Sequence, residues 1–144
     1  TDGYTSGTPG NGTLIDKFPF ASDANSTDAG ELQCGVSRSA GTNSASHGYN
    51  SGGLTPLTGA GIVDIQKFAF ANESTTADVG DLTQCNAAVG GSSSTTFGYQ
   101  HGGDNSSPGR QDRIEKFSFT SDQNATDVGE LTAAKNFVAS GQNI

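Results

Sequence analysis

Apolar and polar positions alternate along the clearest segment of the chain. In IDKFPF (residues 15–20), Ile15 and Lys17 fall on one side of an extended backbone and Asp16, Phe18 and Phe20 on the other, the period of two that a pleated strand imposes. Both sides carry apolar groups, which predicts a sheet covered on both faces. The alternation returns in IQKFAF (65–70) and IEKFSF (114–119), 50 and 49 residues further on. A Gly-Tyr phrase precedes each of them: DGYTSGT at 2–8, HGYNSGG at 47–53 and FGYQHGG at 97–103. A third phrase follows: TDAGEL at 27–32, ADVGDL at 77–82 and TDVGEL at 126–131.

Three phrases in one order at one period define an internal repeat, and its length is that of a solenoid or propeller unit, which buries its apolar faces only by stacking on neighbours. The repeats are drawn at 1–46, 47–96 and 97–144. Each predicts four short strands: the Gly-Tyr phrase, the aromatic strand, the strand ending in Leu, and a closing small-residue strand such as AAVGGSSST at 87–95. The expected core is Tyr4, Tyr49 and Tyr99; Ile15, Ile65 and Ile114; Phe18, Phe68 and Phe117; Phe20, Phe70 and Phe119; and Leu32, Leu82 and Leu131. Links such as SDANSTD and SDQNATD read as turns, because short Asx side chains bond their own backbone.

Apolar-Tyr-x-x-Gly-Gly, a variable loop, an aromatic strand and a further strand ending in Leu together resemble the kelch repeat. The resemblance covers the whole chain and implies an all-β fold, with three four-stranded antiparallel blades of a kelch-like β-propeller. The chain has no Trp after the aromatic strand, and its first unit has Gly7-Thr8 where the glycine doublet belongs. The repeats also look similar to those of uncharacterised bacterial and aquatic-virus surface proteins. Three blades fall short of the usual four to eight, so further repeats of the chain or other copies are expected to complete the ring. The chain begins and ends in the same phase, so copies can join head to tail, either closing or growing into a filament.

Composition fits thin interfaces rather than one thick core: 31% of the 144 residues are hydrophobic and 15% are charged. Gly, Ser, Thr and Asn fill much of the remainder, which argues against coiled coils and helical bundles. A net charge of −8 and a pI near 4.3 oppose nucleic acid as a partner. No apolar run is long enough for a spanning helix, and no leader is visible, so membrane insertion is not expected. Without an initiator Met, the chain reads as a mature product or a segment of something longer.

Candidate chemistry is sparse. His47 and His101 sit in different phases of the repeat and suit no metal pair. The copper oxidases that share kelch-type blades need Cys, Tyr and His ligands, a constellation not reproduced here. No catalytic residue, metal or cofactor is expected. Asp23, Asn25, Asp28, Asp122, Asn124 and Asp127 offer oxygen ligands of the kind Ca²⁺ prefers, but the middle repeat breaks the pattern and turn formation is the better account. Lys17, Lys67 and Lys116 share one phase, and Asp28, Asp78 and Asp127 another, which suggests repeated Lys-Asp pairs or simply a solvated row. Cys34 and Cys85 lie near one phase and are candidates for a cross-blade disulfide, with two separate thiols the alternative. Five sequons, at Asn11, Asn25, Asn72, Asn105 and Asn124, are glycosylation candidates in predicted loops.

These readings converge on a non-catalytic module of an extracellular or virion surface that gives structure and adhesion, recognising glycans or a host surface. The alternative is a purely structural homopolymer or filament subunit with glycan-coated loops. The expected partners are copies of itself or further repeats, and surface glycans.

Overall fold

The repeated phrases form strands of an antiparallel all-β chain. The structure, a computed structural model, describes residues 1–7, 12–105 and 109–141. A three-stranded first sheet contains β1 (Asp2–Ser6), β2 (Leu14–Pro19) and β3 (Thr27–Glu31). A four-stranded middle sheet contains β4 (Ala40–Asn43), β5 (His47–Ser51), β6 (Asp64–Ala69) and β7 (Ala77–Asp81). The third sheet has five strands: β8 (Gly90–Ser93), β9 (Phe97–His101), β10 (Asp104–Asn105), β11 (Gly109–Ser118) and β12 (Thr126–Lys135). Among the described residues no helix is long and apolar enough to cross a membrane.

The expectation of three equal four-stranded blades is therefore corrected to sheets of three, four and five strands, and they close no ring. The small-residue strand causes the difference. It opens the sheet that follows it instead of closing the one before: β4 pairs with β5 and β8 with β9, with Thr42 opposite Tyr49 and Ser92 opposite Tyr99. Serines fix both hairpins. The Ser44 Oγ accepts from the N–H of His47 at 3.0 Å, and Ser94 Oγ accepts from Phe97 N–H at the same distance. Among the described residues the first sheet has no such strand paired to β1 and stops at three. The third gains β10, a two-residue pairing with the start of β11.

Side-chain direction follows the predicted alternation. Tyr4 lies opposite Lys17, and Ser6 opposite Ile15, so these residues share the face turned to the middle sheet. One core holds Ile15, Ala29, Leu32, Val36 and Phe68, with Tyr4, Ile62 and Phe70 packed against it. A second holds Tyr49, Ile65, Leu82, Phe117 and Ala125, with Val63, Val79 and Phe119 beside it. The two cores repeat one aromatic arrangement. Tyr4 stacks on Phe70 with ring centroids 4.7 Å apart, and Tyr49 stacks on Phe119 at 4.7 Å. Each tyrosine also meets the inner Phe of the next sheet, at 5.6 Å for Phe68 and 5.7 Å for Phe117. Such offset and tilted pairs add about 0.5–1.5 kcal/mol each to the burial of ring area.

A bulge shapes the outer strand of each sheet. Pairing slips between β2 and β3, between β6 and β7, and between β11 and β12. The side chains of Asp28, Asp78 and Asp127 accept from the N–H of Gly30, Gly80 and Gly129 at 2.9, 3.2 and 3.2 Å. All three glycines have positive φ, 123°, 154° and 155°. The first two also lie under the link of the next sheet: a Cβ on Gly80 would sit 2.6 Å from the carbonyl oxygen of Gln123, and one on Gly30 would sit 2.9 Å from that of Ser74. Nothing lies within 4 Å of that position at Gly129. Gly80→Ala and Gly129→Ala thus share the backbone strain, and only the first adds a clash. Chemical denaturation of the monomeric chain should show Gly80→Ala more destabilising than Gly129→Ala by about 1–3 kcal/mol.

Candidate functional site

Polar clamps at the two sheet junctions show what each sheet offers the next. Gln66, 1% exposed, is fully engaged: its Oε1 accepts from Cys34 N–H at 3.1 Å and from the Thr76 hydroxyl at 2.9 Å, and its Nε2 donates to Cys34 O at 3.1 Å. In the same phase of the next sheet, Glu115, also 1% exposed, accepts from Thr83 N–H at 2.7 Å. The backbone joins in, since Thr76 N–H donates to Glu31 O and Ala125 N–H to Asp81 O, at 2.8 and 2.7 Å.

The repeated lysines take a different partner from the one anticipated. Lys17 pairs with Glu73, which raises the lysine pKa chiefly through that hydrogen bond, and Lys67 pairs with Asp122 at 2.6 Å. Each carboxylate comes from the link of the following sheet. Asp28, Asp78 and Asp127 instead hold the bulge glycines, and Asp127 also lies 3.5 Å from the Arg113 Nε. The proposed Lys-Asp pairing is corrected accordingly: a carboxylate two residues before a glycine is captured by the local turn. Lys116, one sheet further along, lies 4.7 Å from the centre of its own sheet's Phe97 ring.

The end faces repeat the internal ones without a cover. The first sheet exposes Phe18 and Phe20, 37% and 66% accessible, whereas Phe68 and Phe117, in the phase of Phe18, are 6% and 3% accessible, and Phe70 and Phe119, in the phase of Phe20, are half-buried. The third sheet ends on the half-buried face of Tyr99, Ile114 and Lys116. Beside the unpaired edge of β1 runs a groove of roughly 720 Å³, bounded by Asp2–Ser6, by Gly41–Ala45 at and beyond the edge of β4, and by Phe20 and Phe70.

The remaining predicted residues are spread out. Cys34 and Cys85 are free thiols, so the candidate disulfide is not formed. They are out of phase by one residue: Cys34 matches Gln84, and its N–H is held by Gln66, whereas Cys85 packs beside Gly61. Asn25, Asn72 and Asn124 are exposed in the links, and Asn105 is half-buried in β10. Asn124 Oδ1 accepts from Asp81 N–H at 3.1 Å. Asn11 lies outside the described residues. Four of the six Ca²⁺ candidates already have protein partners, Asp28 and Asp127 on glycines, Asp122 on Lys67 and Asn124 on Asp81, while Asp23 and Asn25 are exposed in the first link. Among the described residues, no three His, Cys, Asp or Glu side chains are grouped to hold a metal ion. His47 bonds Ser46 Oγ through its Nδ1 at 2.8 Å, while His101 is partly buried beside Gly90 and Ser140. No known protein family matches the chain, and no curated protein is similar to it in sequence.

Two measurements test these assignments. Gln66→Ala should cost about 2–4 kcal/mol in urea unfolding, because it strands the N–H and C=O of Cys34 and leaves a void. Burial lowers the His101 pKa from its ordinary 6.5, so the unfolded chain binds the proton first on acidification. The stabilising neutral form is complete above that value and lost below it. Melting temperature should therefore fall as the pH drops through about 6.5, and His101→Gln should flatten the fall.

Proposed function

We propose that this chain is a non-catalytic repeat module of an extracellular or virion surface, a kelch-like, propeller-type stack that builds structure and presents its loops for adhesion to glycans. One observation carries the reading: the two sheet junctions repeat one tyrosine–phenylalanine stack and one lysine–carboxylate pair in the same phase, and the outermost faces carry those groups again without a cover. A chain organised this way devotes its frame to stacking and leaves chemistry to the segments between strands.

Those segments are rich in hydroxyls and amides. In the turn after β5, Thr55 and Thr58 hydroxyls lie 2.6 Å apart beside Leu57, which is 80% exposed, a mixed polar and apolar tip suited to a sugar face. Exposed sequons in the links, Asn25 and Asn72, suit a glycoprotein outside the cell. The complementary ends favour a second reading, a structural homopolymer whose loops only coat it. A glycan array with the labelled chain separates the two: retention on a defined set of glycans, lost on Leu57→Ser with an unchanged melting temperature, is the expected result. Polymers that retain no glycan would establish the second reading instead.

A further inference from the structure

Among the described residues no strand pairs with the free edge of β1, in the place where β4 and β8 open the other sheets, and Ala139–Gly141 are in phase to supply one. Arg38, Ala88 and Phe137 occupy one phase of the repeat and share an uncommon backbone, with φ of 60°, 54° and 51°. They hydrogen-bond in series: Ala88 N–H donates to Arg38 O and Phe137 N–H to Ala88 O, each at 2.8 Å. Two residues after the first two begin β4 and β8; two residues after the third stands Ala139. Ala139–Gly141 belong to no strand. Ser140 lies beside β8, on the flank away from β4: a Cβ on Gly90 would meet Ser140 Oγ at 2.5 Å, while one on Gly91 would meet Gly41 O of β4 at 2.5 Å. The segment thus holds the next place in the row of opening strands.

We propose that a second copy of this chain docks head to tail on the first, so that Ala139–Gly141 of one copy pairs with the free edge of β1 in the other as its missing fourth strand. The inference rests on the reading of the chain as a stackable array and names the copy and the segment that continue it. Carrying over the register of β4 on β5 and β8 on β9 sets Ala139 opposite Ser6, Ser140 opposite Thr5 and Gly141 opposite Tyr4. The groove along β1 and β4 is the space this strand fills.

The flanking contacts match as well. Tyr4 on Phe70 and Tyr49 on Phe119 continue as Tyr99 on Phe20 of the second copy, which would cover the most exposed ring of the frame. Lys17 to Glu73 and Lys67 to Asp122 continue as Lys116 to Asp23. The open position over Gly129 receives the link of the incoming first sheet, as Gly30 and Gly80 receive theirs. The contact is heterologous, because one end of the chain differs from the other.

Complementation of two blocked chains tests the junction. Phe20→Asp blocks the first-sheet end, and deletion of residues 139–144 removes the donated strand from the other. Each variant alone should sediment as a monomer where the full chain associates, with melting showing both folded, and an equimolar mixture should give a one-to-one heterodimer. In a Cys34→Ser, Cys85→Ser background, Thr5→Cys with Ser140→Cys should oxidise to a covalent species of two or more chains, and Thr1→Cys with Ser140→Cys should not. Association that survives deletion of 139–144 would overturn strand donation and leave the stackable array standing. A full chain that stays monomeric, or an intrachain Thr5–Ser140 disulfide, would overturn both.

Discussion

The structure depends on one constraint: no sheet here has enough apolar surface to fold against itself. With 31% hydrophobic residues spread over three sheets, each sheet contributes an isoleucine, two phenylalanines, a tyrosine and a leucine to the frame, with the isoleucine, tyrosine and leucine facing one way and the phenylalanines the other. Burial at about 25 cal/mol per Å² becomes effective only where two sheets bring these faces together. The tyrosine that stacks on the second phenylalanine of the next sheet serves as the recurring contact, and the rest is arranged around it. The Gly before each tyrosine, for example, leaves room for the inner Phe ring of its own sheet, which lies directly over Gly3, Gly48 and Gly98.

Polar groups at the junctions specify alignment more than they add stability. A buried glutamine that satisfies both backbone groups of Cys34 accepts one relative position of the sheets, since a shift of one residue would leave an N–H and a C=O without partners. The lysine-carboxylate pairs lie nearer the surface, where such pairs contribute about 0–1 kcal/mol, and their role is to distinguish the correct neighbour from a slipped one.

Much of this was legible in the sequence because the signals were periodic. Alternation in IDKFPF and its two returns assigned the faces of β2, β6 and β11, and the repeat assigned the stacking. The strand partners of AGTN and GGSS were not legible, because glycine and serine carry no apolar alternation; Ser44 and Ser94 decide the matter by closing a hairpin toward the following phrase. The carboxylates opposite Lys17 and Lys67 were misread for another reason. Matching phase within a repeat cannot reveal a bond made to the link of the next one, and Asp28 and Asp78 were already committed to their own turns. The glutamine clamp was missed because its phase holds Asp16, Gln66 and Glu115, three different side chains.

The crowded row of opening strands has a consequence for what the bare edge of β1 can accept. An unpaired strand edge is ordinarily a template for indiscriminate β-addition. Here β4 and β8 approach so closely that a Cβ on Gly91 would meet Gly41 O, and Asn43 N–H reaches Ser93 Oγ at 3.0 Å. Small residues keep this row close, AGTN in β4 and GGSS in β8. A strand that joined β1 at the same spacing would favour small residues over the bulky, β-branched side chains of amyloid-forming segments, so spacing as well as charge bears on what the margin accepts.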